Sequence, residues 1–215
     1  MAELLSSRDI NKIFCRFSDE LPEPKTELFY TNNYTLLVAV VLSAQATDKG
    51  VNKATKPLFA KISSAEEMIN FGEDNLREAI KTIGLFRGKA KNVIALSKIL
   101  VEKYNGVVPR DLQALQSLPG VGEKTARVVL NCAFGEATSA VDTHIQRIAN
   151  RIGLVKTRNA SETMRELPRV IPKKFMLHAH HWLILHGRYI CVARKPKCQI
   201  CNIRDLCNFP EKTAD

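Results

Sequence analysis

The 215-residue sequence lacks the features that would take it out of water. Its longest uninterrupted apolar run, Leu36 to Leu42, is seven residues, against the about 20 needed to span a bilayer, so no transmembrane helix is expected. Met1 to Phe14 alternates polar and apolar residues and lacks the basic start and continuous apolar stretch of a secretory signal. A soluble, intracellular protein without membrane association is the expectation. Low-complexity tracts and solenoid-length repeats are also missing. Acidic residues are in deficit, 22 Asp and Glu against 32 Lys and Arg, for a formal charge of +10. The deficit is local, because residues 137–215 carry 14 basic groups and 6 acidic ones while the rest of the chain is near balance. Such a surplus favours a polyanionic partner, nucleic acid ahead of an anionic membrane surface.

Period-two alternation bounded by turns is scarce, and apolar residues recur at helical spacing almost throughout, which predicts an all-α protein. Ile10, Ile13, Phe14 and Phe17 form one stripe behind the caps Ser6 and Ser7, ahead of the proline-rich turn from Leu21 to Pro24. Tyr34 to Ser43 is apolar nearly all round and reads as a buried central helix. Ser63 or Ser64 with Glu66 or Glu67 reads as a capping box, followed by a helix over 74–82. Further helices are expected over 89–104, around Leu112 to Leu118, from Gly122 to about Phe134, over 142–152 and over 175–189. Cys15 and Cys132 fall within apolar patterns and are expected to be buried.

The remaining four cysteines crowd into one segment, Cys191-x6-Cys198-x2-Cys201-x5-Cys207. Without a secretory signal they argue for a metal or cluster rather than disulfides. By count, four thiolates suit a 4Fe-4S cluster or a tetrahedral zinc. One compact loop with a single C-x2-C pair favours the cluster. Between the first two ligands, Arg194, Lys195 and Lys197 make a basic tip, either a solvated loop or a phosphate contact.

Leu118-Pro119-Gly120-Val121-Gly122 joins two helices through a tight turn, either an ordinary corner or a cradle of backbone N–H groups for a phosphate. Lys124 follows in the first turn of the next helix, where the macrodipole disfavours a cation. Held there and partly desolvated, its amine would have a lowered pKa and serve as a nucleophile toward a sugar carbon; taken alone, it reads more readily as a surface lysine. Asp142, in Ala140 to His144, is equally an N-cap and a fixed carboxylate able to stabilise positive charge on a sugar. The polar break Ser43 to Asp48 reads first as a capped loop, although Gln45 has the size and polarity to enter a duplex. His178, His180, His181 and His186 surround Trp182 with no carboxylate partner and read as core and surface histidines.

The hairpin Leu118 to Gly122 followed by Glu-Lys-Thr-Ala, Val141 to His144, His181 to Arg188 and the cysteine loop, in that order, closely resemble the bacterial endonuclease III family. The resemblance spans nearly the whole chain. It implies a helix-hairpin-helix glycosylase fold of two helical domains, residues 26–136 and the discontinuous set 1–25 with 137–215, with DNA in the groove between them. By the same resemblance, the four cysteines hold a 4Fe-4S cluster whose role is mainly structural and DNA-positioning. Lys124 attacks C1′ of a flipped-out, damaged pyrimidine nucleotide, expels the base, forms a Schiff base and cuts the strand by β-elimination. Asp142 supports departure of the base, Gln45 fills the vacated space and Leu85 wedges between bases. Glu123 departs from the family pattern, where a basic residue is common, which leaves the hairpin its backbone contacts only. The implied partner is double-stranded DNA with damaged pyrimidines or abasic sites, met by a monomer in the cytoplasm, associated with the nucleoid of a bacterium.

The alternatives are a monofunctional adenine glycosylase, which shares the cluster and the aspartate, and a non-catalytic iron–sulfur protein that binds DNA or senses redox state. Lys124 and the end of the chain at Asp215 set it apart from the adenine branch, which lacks the lysine and bears an extra C-terminal domain. An electron carrier would have no need of the positive charge.

Overall fold

The computed structural model describes residues 3–213. Met1, at the head of the stretch read for a signal, and Asp215, at which the chain ends, lie outside the described residues. The chain divides into two compact units, residues 26–136 and residues 1–25 with 137–215. Among the described residues the regular elements are helical, and no helix is long and apolar enough to cross a membrane.

The unit 26–136 is built on α2 (Asn33–Ser43), buried over nine consecutive residues from Tyr34 to Leu42. A helix with no polar face has to sit inside its domain. It packs against α3 (Asp48–Phe59), α6 (Phe86–Tyr104) and α8 (Glu123–Phe134). Each fully buried Leu or Val contributes about 1.5–3 kcal/mol. The hydroxyls buried at the start of α2 are satisfied: Tyr34 Oη lies 2.7 Å from Ser97 Oγ, which itself donates to Val93 O at 2.7 Å, and Thr35 Oγ1 accepts from the Asn32 N–H at 2.9 Å. Asn32 caps α2 through the Thr35 N–H at 2.9 Å.

In the other unit, α1 (Ser7–Glu20) lays Ile10, Ile13, Phe14 and Phe17 against Ile145, Ile148 and Ile152 of α9 (Thr143–Ile152) and against Phe175 and Trp182. Phe14 stacks on Phe175 with centroids 5.8 Å apart. Trp182, on α11 (Met176–Tyr189), donates its indole N–H to Leu21 O at 2.8 Å, so its one polar atom is not stranded in the core. Gly187 lets α11 approach α9 closely, since a Cβ there would stand 3.2 Å from both Cβ and O of His144.

Several elements differ from the sequence expectation. The segment 63–82 forms two short helices, α4 (Ala65–Phe71) and α5 (Glu73–Ala79), separated by Gly72. Helix α6 starts at Phe86, three residues early, behind a left-handed Leu85. The short helix before the hairpin is α7 (Leu112–Gln116). Two helices were not expected at all: α3, which contains Pro57, and α10 (Ala160–Val170), which contains Pro168. Both prolines sit near the helix C-terminal ends, after most of the turns have closed. Cys15 and Cys132 are half-buried rather than buried, because each sits at the edge of its helix's apolar face; even so, burial pushes the Cys132 thiol up to about 12.

Candidate functional site

The hairpin residues divide by face. Leu118 and Val121 are buried, whereas Gly120 and Gly122 are exposed. The two apolar side chains therefore anchor the turn, and what it offers outward is backbone. The turn is closed by Val121 N–H donating to Leu118 O at 3.1 Å. Gly120 has φ 79, and a Cβ there would meet Asn92 Nδ2 at 2.9 Å, so both conformation and packing demand glycine. No side chain caps the first N–H groups of α8, which leaves the helix start available to an anion.

Lys124 is exposed in the first turn of α8. The partial desolvation expected of it is therefore not found, because the residue lies on the outer side of the helix start. Its neighbour Glu123 is turned along the helix to Arg127, which donates to Glu123 Oε1 at 2.8 and 3.0 Å. Asp142 is half-buried and caps α9, its Oδ1 accepting from the N–H groups of His144 and Ile145, both at 2.9 Å. Two such bonds to one oxygen fix the carboxylate in place, so the capping reading and a rigid anion are the same geometry.

Gln45 and Leu85 are both exposed, and both hold a left-handed backbone, φ 53 and φ 59. That conformation is disfavoured for non-glycine residues, most of all for a bulky apolar one. Leu85 is 66% exposed, the more unusual for a large apolar side chain. The two line one cavity of about 580 Å³ together with Lys89, Asn92 and Gly120. The structure thus brings the two residues expected to enter a duplex to one opening that reaches the hairpin glycine.

The cysteine segment follows α11. Cys191, Cys198, Cys201 and Cys207 are half-buried, unbridged and line one pocket with His186, Arg204 and Phe209. Among the described residues no three Cys, His, Asp or Glu side chains are grouped to hold a single metal ion. Sulfurs spread around a pocket suit a cluster, in which each binds its own iron. The surroundings fit thiolates: Arg151 Nη1 lies 3.8 Å from Cys191 Sγ, His186 Nε2 lies 3.6 Å from Cys201 Sγ, and Phe209 N–H donates to Cys207 Sγ at 3.4 Å. Donors aimed at ligand sulfurs are what tunes an iron–sulfur centre. Burial pushes the Cys201 thiol up to about 11 and raises that of Cys207.

Sequence reasoning missed Arg147 and Arg151. From α9, Arg147 donates to Gly187 O at 2.5 Å and to Cys191 O at 3.0 and 3.2 Å, and Arg151 donates to Val192 O at 2.7 Å and Ala193 O at 2.8 Å. They clamp the start of the cysteine segment, and their i, i+4 spacing beside the apolar stripe was the available signal. Arg194, Lys195 and Lys197 are exposed around a buried Pro196, whose carbonyl accepts from Thr213 Oγ1 at 2.6 Å. Of the four histidines on α11, His180, His181 and His186 are buried and His178 is half-buried; His180 Nδ1 lies 2.7 Å from Ala140 O.

Comparison with known proteins gives the family. Residues 38–173 match the HhH-GPD superfamily of base excision DNA repair proteins, and residues 191–207 match the iron–sulfur binding domain of endonuclease III. The chain is 57% identical to endonuclease III of Rickettsia conorii, over 95% of this chain and 98% of that one. It is 49% identical to endonuclease III of Escherichia coli K12, over 94% and 95%. A solved endonuclease III–DNA covalent intermediate, an estranged-adenine complex, superposes with a TM-score of 0.87 at 41% identity, covering 95% of this chain and 96% of that one.

Proposed function

The chain belongs to the endonuclease III family of helix-hairpin-helix repair enzymes, and on that premise we propose that Lys124 is its nucleophile and Asp142 its supporting carboxylate. The family is one of base-excision-repair DNA glycosylases and AP lyases with an iron–sulfur cluster, and this protein is such an enzyme acting on DNA. Its proposed substrates are damaged pyrimidines and abasic sites in double-stranded DNA, met by a monomer in the cytoplasm, on the nucleoid of a bacterium.

The observation that carries this reading is a cation exposed in the first turn of α8, two residues beyond Gly122. A lysine there opposes the helix dipole, at a local cost of under about 1 kcal/mol. In the proposed reaction the Lys124 amine bonds to C1′ as the bond from C1′ to the base breaks, and the base leaves with the electron pair and takes up a proton. Asp142, fixed by two N–H groups, stabilises the positive charge that builds on the sugar. Opening of the sugar ring yields the protonated Schiff base. Loss of a C2′ proton then breaks the C3′–O bond, and water releases Lys124. The exposed backbone at Gly120 and Gly122 is proposed to seat a phosphate, with Leu118 and Val121 supplying only the shape of the turn. Gln45 and Leu85 enter the duplex, and Arg194, Lys195 and Lys197 contact phosphates. Cys191, Cys198, Cys201 and Cys207 are the proposed ligands of the 4Fe-4S cluster, which cross-links their segment and so holds its basic tip in shape.

Borohydride trapping tests the central step. A duplex carrying one thymine glycol or one abasic site should give a covalent protein–DNA band with the cluster-loaded wild type. Lys124→Ala should bind the duplex and give no band. Absence of the band from wild type on both substrates would overturn the Schiff-base reading.

A further inference from the structure

We propose that the N-terminus of α6, together with Lys89, is a seat for a DNA phosphate, separate from the hairpin. The inference rests on the reading that the protein acts on duplex DNA. Lys89 is 6% exposed, and its Nζ is shut off from solvent with no hydrogen-bond partner. A buried ammonium without a partner is costly, and proteins rarely retain one without a use for it. Burial alone lowers the Lys89 pKa, with no carboxylate opposing the shift. The side chain lines the same cavity as Gln45, Leu85 and Asn92.

The helix start around it is built for an anion. Helix α6 has 19 residues, no side chain caps its first N–H groups, and no acidic residue stands in its first turn. Arg87 and Lys89 stand there instead, against the dipole, and the space beside Gly88 is open. Free N–H groups, the positive end of the dipole and two cations select an anionic oxygen, and on DNA that is a phosphate. A base edge offers only neutral acceptors, which the same set would hold less well. Lys89 reaches the phosphate by rotating the end of its four-carbon stem into the cavity, where it gains the partner it lacks.

The test is a titration of wild type, Lys89→Met and Lys89→Arg against a duplex with an uncleavable abasic-site analogue, followed by fluorescence anisotropy across a salt series. For Lys89→Met the affinity at low salt should fall about tenfold, as for removal of one charge-assisted hydrogen bond. The slope of log K against log salt should become shallower by about 0.9, the value for one phosphate that the protein no longer neutralises. Lys89→Arg should keep the wild-type slope. Met preserves the stem and removes a buried unpaired charge, so the melting temperature should hold or rise. An unchanged slope and affinity with a lowered melting temperature would make Lys89 a structural residue and overturn the proposal. An unchanged slope with weakening that depends on the base opposite the lesion would overturn it in favour of a base contact. Salt-dependent binding by wild type in either case leaves the DNA reading standing, whereas wild type that does not bind the duplex sinks both.

Discussion

In residues 26–136 a single helix, α2, is buried over nine consecutive residues, and Gln45 and Leu85, the two residues proposed to enter a duplex, are exposed on left-handed turns. In the unit made of residues 1–25 and 137–215, the segment 191–207 buries only Pro196 and Ile203. What orders that segment is polar: carbonyls held by Arg147 and Arg151, the Arg16 and Asp205 pair at 2.5 and 2.8 Å, and donors aimed at three of the four sulfurs. The first unit carries its order in apolar burial, and the second carries part of its order in groups that only a bound cluster completes. The five histidines of the chain and its single tryptophan all lie in the second unit, so acid and fluorescence address the two units unequally.

The largest effect that would separate them is loss of the cluster. Cys201→Ser, or prolonged treatment of the wild type with an iron chelator, should bleach the visible absorbance and remove amide protection from residues 187–207. Coupling of metal binding to folding makes such losses of the order of several kcal/mol. The amides of Leu36 to Leu42 should keep their protection, since nothing in α2 depends on the thiolates. Equal loss of protection in both units, read by hydrogen exchange, would erase the contrast drawn above.

Acid should act next, and again on one unit. Burial pushes His181 down to about 4 from an ordinary 6.5, with His178 adding a smaller like-charge contribution. The native state keeps this ring neutral while the unfolded chain takes up its proton near 6.5. The stability it contributes is complete above pH 6.5 and is lost as pH falls toward 4, up to about 3 kcal/mol at about 1.4 kcal/mol per pH unit. Denaturant unfolding followed by Trp182 fluorescence should weaken over that window, and His181→Gln should flatten the slope. Residues 26–136 contain no histidine, so their exchange protection should change little over the same range.

How far this contrast could be read from the sequence follows from the same physics. Helix α2 announced itself because burial on every side leaves an unbroken apolar run, and α1 and α9 did so because a clean stripe faces one core. Helix α3 did not: its stripe of Val51, Ala54, Thr55 and Leu58 is weakly apolar, and Pro57 reads as a stop although it falls within the helix. The four cysteines stood out by their spacing alone, whereas Lys124 and Asp142 each had an ordinary reading, a surface lysine and an N-cap, and were singled out only by their place in an ordered set of motifs that resembles a known family. Lys89 drew no notice, since it stands among Arg87, Lys91 and Asn92 in the sequence and only the fold shows its burial. Arg147 and Arg151 left only their i, i+4 spacing as a signal, because their partners are carbonyls about 40 residues away and a sequence does not show which backbone acceptors a side chain will meet.

The smallest expected effect on stability is the most informative about the site. Asp142 accepts from two N–H groups at the start of α9, and an asparagine oxygen in the same place makes the same bonds. Asn and Asp are near-equal N-caps, so Asp142→Asn should shift stability by no more than a few tenths of a kcal/mol, against about 1 kcal/mol for Asp142→Ala. On the proposed role of Asp142 in base departure, an amide cannot supply its negative charge, so single-turnover base release should slow by about 100-fold or more in both variants. Asp142→Ala mixes the two roles and Asp142→Asn separates them: the same oxygen still holds the helix, and only its charge is gone. If base release in Asp142→Asn kept the wild-type rate while Asp142→Ala lost it, the residue would be a cap that shapes α9 and the positive charge on the sugar would have to be met from elsewhere.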